Sequence, residues 1–160
     1  MRTILLVCHA NTARSVMAQA LLQRMLAERD ALEGVRIRSG GIAPYARDGM
    51  LPSLDARIVL REEGIHLGED DLVSTDLKRH RHLLAEADLI VTMTVQQKHM
   101  VEDFAEARGR SVLTLRELAG EEGDIADPGS EGEETFRACR DEIRRCLERS
   151  VDRLLLALST

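Results

Sequence analysis

Aromatic residues are almost missing from this chain: 160 residues include no tryptophan, one tyrosine and two phenylalanines. The core of a single domain over residues 1–160 therefore has to be built from Leu, Val, Ile, Ala and Met, which the 44% hydrophobic content allows. No apolar run approaches the roughly 18 to 20 residues a membrane helix needs. Met1–Arg2–Thr3 leads directly into Ile4–Val7, a run too short for a signal peptide's apolar region. The expected location is cytoplasmic. No basic block exists either: Arg and Glu are interspersed and the formal net charge is −6. That excludes a broad nucleic-acid footprint but leaves room for a small, locally positive pocket. Cysteines number three, which is not a disulfide framework. Cys139 and Cys146, seven apart on one predicted helix, read as buried small apolar residues. Cys8 has a different context.

What the chain does contain is an alternation of short apolar runs with helical patterns. Ile4–Val7 suits a strand buried on both faces. A helix is predicted over about 14–29, where Met17, Leu21 and Met25 recur every four residues. A second strand fits Val35–Gly40. Residues 42–52, with Pro44, Gly49 and Pro52, read as a loop. A helix over 54–63 stops at Gly64. Further helices are expected over 77–87 and 95–107, strands over 89–93 and 111–115, and a final helix over about 133–158. Residues 120–132, acidic and Gly-rich, read as a surface loop. The alternation predicts an α/β domain: a four-stranded parallel sheet with helices on both faces.

Cys8 ends the first strand and stands just before a helix. In open α/β sheets, ligands bind outside the carboxyl ends of the strands. The helix directs its N–H groups and positive dipole end at the loop, which favours a bound phosphate and equally a cysteine thiolate. Arg14 follows Cys8 after five residues, His9 to Ala13, enough to wrap a phosphate with backbone amides. Arg14 can close the ring with a planar fork matched to two phosphate oxygens. Ser15 can donate to the sulfur, and Asn11 suits a left-handed turn in mid-loop.

The segment Val7–Cys8–His9–Ala10–Asn11–Thr12–Ala13–Arg14–Ser15 resembles the signature loop of the low-molecular-weight protein tyrosine phosphatases. The likeness extends to Arg38–Ser39–Gly40–Gly41, to residues 86–93, and to Asp127–Pro128, which looks like the family's acid loop. The resemblance implies the phosphotyrosine protein phosphatase I-like fold and a two-step displacement without metal or cofactor. In it Cys8 is the nucleophile, Arg14 the phosphate clamp and Asp127 the general acid. It also implies that His9, Ala10, Asn11, Thr12, Ala13 and Ser15 surround the phosphate, that Ser39 supports the loop, and that Tyr45 and His9 wall the pocket. The expected partners are a phosphoprotein substrate and inorganic phosphate as product, with no nucleic acid and no membrane. The chain is expected to act as a monomer or weak dimer.

The sequence departs from the family pattern in several places. Ala10 stands where Gly is usual and restricts the backbone there. Ala13 replaces the second cysteine that in many members can trap the nucleophile, and Cys139 and Cys146, on a far helix, are not substitutes for it. Val16 replaces a usual Pro. After Asp127–Pro128 the chain reads Gly129–Ser130–Glu131, without the expected aromatic wall. Thr12 resembles the bacterial protein-arginine phosphatases, a branch of the same family. So do residues 93–98, 112–117 and 140–143. Glu131, Glu133 and Glu134 can attract a guanidinium or simply begin a helix. The arginine branch also has an aromatic residue where Gly129 stands, so phosphotyrosine and phosphoarginine both remain open.

Two other readings compete. Thiol-linked arsenate reductases share the loop but need two further cysteines, and residues 70–110 contain none. A non-catalytic phosphoprotein-binding module would not need Cys8 and Asp127. His80 and His82, two apart on a predicted helix, point to different faces and read as surface residues.

Overall fold

The structure is a computed structural model that describes residues 1–68 and 70–159. Four strands, β1 (Arg2–Cys8), β2 (Val35–Gly41), β3 (Leu89–Thr92) and β4 (Ser111–Thr114), form one parallel sheet in the order β2-β1-β3-β4. Six helices surround it: α1 (Arg14–Glu28), α2 (Leu54–Arg61), α3 (His82–Glu86), α4 (Val95–Glu102), α5 (Leu115–Leu118) and α6 (Glu133–Leu158).

β1 is central and its side chains alternate between two cores. Ile4, Leu6 and Cys8 join the larger one with α1, α2, α5 and α6, while Leu5 and Val7 join the smaller one with α3 and α4. A strand buried on both faces needs apolar side chains at every position, which is why 4–7 reads as a continuous apolar run. The expected α/β architecture with helices on both faces is therefore present. No helix among the described residues is long and apolar enough to cross a membrane.

Three elements differ from the sequence expectations. The helix expected over 77–87 forms only at His82–Glu86. The chain before it bridges alongside the end of β2 instead: Gly41 N–H donates to Thr75 O at 2.8 Å and Leu77 N–H donates to Gly41 O at 3.0 Å. The helix expected to reach Ala107 ends at Glu102. Phe104 is extended there, packs against the smaller core and has the Arg81 guanidinium 4.9 Å above its ring. Leu115, expected in β4, opens α5 because Thr114 and Glu117 form a capping box: Glu117 N–H donates to Thr114 Oγ1, and Thr114 N–H to Glu117 Oε1.

The loop over 120–132 is less superficial than its composition suggests. Ile125 is fully buried and its N–H donates to Met93 O at 2.8 Å, just beyond the end of β3. The loop is thus tied across the carboxyl edge of the sheet.

Gly41 closes β2 against the turn after β1. A Cβ there would lie 2.7 Å from His9 O and 2.9 Å from Ala10 C, both backbone atoms that cannot swing aside. Gly41→Ala is expected to lower the unfolding free energy by about 1–3 kcal/mol, the usual cost of overpacking, measured by urea denaturation.

Clusters of arginine grip two carboxylates. Arg137 and Arg140 hold Glu62, and Arg145 and Arg116 hold Glu121, each down to about 2 from an ordinary 4.5. Below 4.5 the unfolded chain takes up protons that the folded chain refuses, so stability is lost as pH falls from about 4.5 towards about 2. The urea midpoint should decline across that window, and Glu62→Gln should make the decline shallower while leaving its shape near neutrality unchanged.

Candidate active site

Outward from β1 the sheet order has its switch point: β1 connects through α1 to β2 on one side, while β3 lies on the other. The crevice at the carboxyl ends of such strands is where ligands settle. Cys8, the last residue of β1, faces it, and the loop 9–13 arches from it into α1. No side chain caps the α1 N-terminus, so its first N–H groups stay available to an anion.

The loop holds its shape through Asn11. Its φ is +60°, the left-handed region that Asn tolerates better than most residues. Asn11 N–H donates to Cys8 Sγ at 3.3 Å. The side-chain amide of Asn11 is pinned at both ends. Its Oδ1 accepts from Thr75 N–H at 2.9 Å, and its Nδ2 donates to Ser15 Oγ at 2.7 Å and to Ser39 Oγ at 2.9 Å. Ser39 in turn donates to Gln19 Oε1 at 2.5 Å, and Gln19 Nε2 donates to Ile37 O at 3.0 Å. Backbone groups at each end fix the orientation of both amides. Ser15 Oγ accepts from Asn11 and lies 2.9 Å from Cys8 Sγ, where it can donate its proton to the sulfur once Cys8 is a thiolate.

Arg14 is buried, and its Nη1 donates to Ile125 O at 2.8 Å, which holds the guanidinium at the loop. Its Nη2 lies 3.8 Å from Asp127 Oδ2. Asp127 is exposed, and its Oδ1 accepts from Gly129 N–H at 2.9 Å, so the carboxylate is oriented by its own turn. Cys8, His9, Ala10, Thr12, Ala13, Arg14, Tyr45 and Asp127 line one cavity of about 70 Å³. Tyr45 is 62% exposed at the rim, its ring centroid 6.4 Å from that of His9. Burial, then the Arg14 charge, pushes the His9 imidazole below its ordinary 6.5, against the opposing pull of Asp127.

Cys8, His9, Ala10, Thr12, Ala13, Arg14, Tyr45 and Asp127 are thus brought together in one cavity with Ser15, Asn11 and Ser39 behind it, while Glu131, Glu133 and Glu134 are not among its lining residues. Ala10 does not take a positive φ; among the described non-glycine residues only Asn11 and Asp30 do. The loop therefore accepts Ala10 without strain of that kind. Sequence reasoning missed Gln19, Thr75 and Ile125. Gln19 carried a signal: a polar side chain one turn after Ser15 on a helix whose first turns are otherwise buried and mostly apolar.

Cys139 is nearer than the far helix suggested. Its Sγ is 3.8 Å from Ala126 O, and it shares a cavity wall with Asp127 and Pro128. Burial raises its thiol to about 12 despite the nearby Arg14 charge, and burial raises Cys146 as well. His80 lies outside α3, with Nε2 2.9 Å from Asp48 Oδ2, and its ring stacks edge-on with His82 at 6.0 Å.

The stretches that resembled the arginine branch have structural work to do. Thr94 and Gln97 form a capping box for α4, and Thr114 and Glu117 form one for α5. Arg140 is buried where α6 meets α2 and donates to Val59 O at 2.7 Å. Thr12 alone among them lines the cavity.

Comparison with known proteins agrees with this geometry. The model of the low molecular weight phosphotyrosine protein phosphatases matches residues 3–158. A protein-arginine-phosphatase of Geobacillus stearothermophilus is 37% identical over 152 residues, covering 94% of this chain and 95% of its own. The solved structure of the YwlE arginine phosphatase from that organism superposes with a TM-score of 0.81, covering 96% of this chain and 93% of that one. A probable low molecular weight protein-tyrosine-phosphatase EpsP of Ralstonia nicotianae is 34% identical, covering 96% of each chain. A cysteine-to-serine mutant of YwlE with a phosphorylated active-site serine superposes with a TM-score of 0.82 at 33% identity, covering 95% of each chain. On the fold, the signature loop and these matches together, the chain belongs to the low molecular weight phosphotyrosine protein phosphatase family.

Proposed function

We propose that this protein is a cysteine-dependent protein phosphatase that removes a phosphoryl group from a protein side chain through a phosphocysteine intermediate. The observation that carries the reading is the environment of Cys8 Sγ, which receives Asn11 N–H at 3.3 Å and lies 2.9 Å from Ser15 Oγ, beside the buried Arg14.

In the first step Cys8 thiolate attacks phosphorus in line. The bond from phosphorus to the leaving atom breaks, and that atom takes a proton from Asp127. Arg14 and the loop amides balance the charge on the equatorial oxygens. In the second step Asp127 takes a proton from water as the water oxygen attacks phosphorus. The phosphorus–sulfur bond breaks, inorganic phosphate leaves and the thiolate returns. No residue in this scheme needs a metal or a cofactor. The three cysteines, all free and buried, fit a reducing, cytoplasmic setting.

For the substrate we favour phosphoarginine over phosphotyrosine. A tyrosine ring gains most from apolar walls on both faces. Here Tyr45 and His9 line the cavity together, and no aromatic residue follows Asp127–Pro128 in Gly129–Ser130–Glu131. A guanidinium gains from acceptors, and Thr12 and Asp127 both line the cavity. The arginine phosphatase of Geobacillus stearothermophilus, similar over nearly the whole chain, points the same way.

The test is kcat/KM on matched phosphoarginine and phosphotyrosine peptides, with Cys8→Ser as the blank. Turnover should be absent in the blank and faster on phosphoarginine, and Thr12→Val should lower that preference about tenfold. A phosphotyrosine preference in the wild type would sink the specificity reading, and no turnover of either peptide above the blank would sink the enzyme.

Ser15→Ala removes the hydroxyl that serves the thiolate. A hydrogen bond to a charged group is worth about 1.5–3 kcal/mol, so kcat/KM should fall roughly 10- to 150-fold, and the melting temperature should fall as well because Asn11 Nδ2 loses a buried acceptor.

A further inference from the structure

A general acid must stand within hydrogen-bond reach of the leaving atom. Asp127 is held loosely for that task. Its side chain is 61% exposed and rests on the bond from Gly129 N–H and the 3.8 Å contact with Arg14. The turn is not packed tightly from behind either. A cavity of about 140 Å³ separates Ala126, Asp127 and Pro128 from Thr135, Cys139 and Glu142 of α6. The contact of Cys139 Sγ with Ala126 O there is 3.8 Å long. Where the carboxylate stands therefore depends on how the chain just before it is tied.

Those ties converge on Arg116 in α5. Its Nε donates to Asp124 O at 3.1 Å and its Nη1 to Glu121 Oε1 at 2.8 Å, while its Nη2 pairs with Glu142 Oε1 on α6. All three guanidinium nitrogens are engaged, and the side chain is only 18% exposed. Its partners are anchored in turn. Glu121 N–H donates to Arg116 O at 2.8 Å, and Glu121 Oε2 accepts from Arg145 and Arg149 of α6 at 2.7 and 2.6 Å. Asp124 Oδ1 accepts from Val95 N–H, at the start of α4, at 2.8 Å.

We propose that Arg116 is a positioning residue for Asp127: by joining Asp124, Glu121 and Glu142 it fixes the path on which the acid turn leaves the sheet edge and passes α6. This rests on the phosphatase reading above. Ile125 is tied separately, to Met93 O and by Arg14. A chain pinned at one residue can still swing about it, whereas ties at Asp124 and Ile125 together set its direction, and Asp127 follows two residues on. Arginine suits the task because its planar fork sends donors three ways in one rigid unit. A lysine ammonium on a flexible stem cannot hold two carboxylates and a carbonyl in that fixed arrangement.

The experiment measures kcat/KM for Arg116→Lys, Asp127→Asn and the double variant on two aryl phosphates. Phenyl phosphate releases a basic phenolate, its conjugate acid having a pKa of about 10, and needs the acid; p-nitrophenyl phosphate releases a much weaker base and needs it little. Arg116→Lys should lose at least about tenfold on phenyl phosphate and no more than about threefold on p-nitrophenyl phosphate, a part of the roughly 10²–10⁴ that general acid catalysis supplies. Asp127→Asn should show the same selective loss in larger measure. Adding Arg116→Lys to it should cost little more on either ester, because the two residues act as one unit. No loss, equal losses on the two esters, or losses that multiply in the double variant make Arg116 purely structural and overturn the proposal. Should Arg116→Lys show no cooperative urea transition, Glu142→Gln decides in its place: it removes one of the three ties, selective loss on phenyl phosphate supports the proposal, and uniform or absent loss overturns it. Asp127→Asn without selective loss overturns the acid assignment and the proposal together, and absence of Cys8-dependent hydrolysis of both esters overturns the phosphatase itself.

Discussion

Everything at the site depends on the position of one side-chain amide. Asn11 sits in a left-handed turn and binds Thr75, Ser15 and Ser39 with its side chain and Cys8 with its backbone. Because its carbonyl end is taken by a backbone donor, its amino end must face the two serines. That fixes Ser39 as a donor to Gln19 and leaves the Ser15 hydroxyl, an acceptor from Asn11, beside the sulfur. An alanine at position 11 would remove three side-chain hydrogen bonds at once and leave buried polar partners unmatched, which costs more than the mean value of the bonds themselves. The network is thus both the support of the loop and the source of polarity at Cys8.

The fold supplies the points to which that network is fastened. β1 is the central strand, and the turn following it is reached from three directions. β2 brings Ser39 and the close approach of Gly41, the segment bridged to the end of β2 brings Thr75, and the loop after α5 brings Ile125 to Arg14. Each of these is a backbone or buried contact, so the loop is held by parts of the chain that are themselves packed. Such preorganisation is what an anion site needs, since the donors do not have to be ordered when the ligand arrives.

Much of this was legible in the sequence. The alternation of apolar runs and helical stretches gave the sheet and its two faces, and the Cys8-to-Arg14 spacing with Ser15 and Asn11 gave the site. Three things escaped for identifiable reasons. Leu77 opens a helical pattern, but its N–H pairs with Gly41 O at the end of β2 and the helix starts only at His82. Leu115 continues an apolar strand pattern, but the Thr114–Glu117 capping box starts a helix one residue early. Ile125 accepts from Arg14 with its backbone carbonyl, a group every residue has and no pattern of side chains reveals. The resemblance of residues 93–98, 112–117 and 140–143 to the arginine branch was real as a pattern but concerns caps and helix packing. It describes how the scaffold is built and carries little about the substrate.

Discrimination between phosphorylated side chains cannot reside in the cradle, because the phosphoryl group is the same in each. It must come from what lies beyond the phosphorus, and here that region is lopsided. On one side stand Tyr45 and a His9 ring kept towards its neutral form by burial and by Arg14. On the other side Asp127 is held only by its own turn and by a long contact to Arg14. A wall on one side gives a planar ring half of the burial it can use, whereas a guanidinium needs acceptors more than walls.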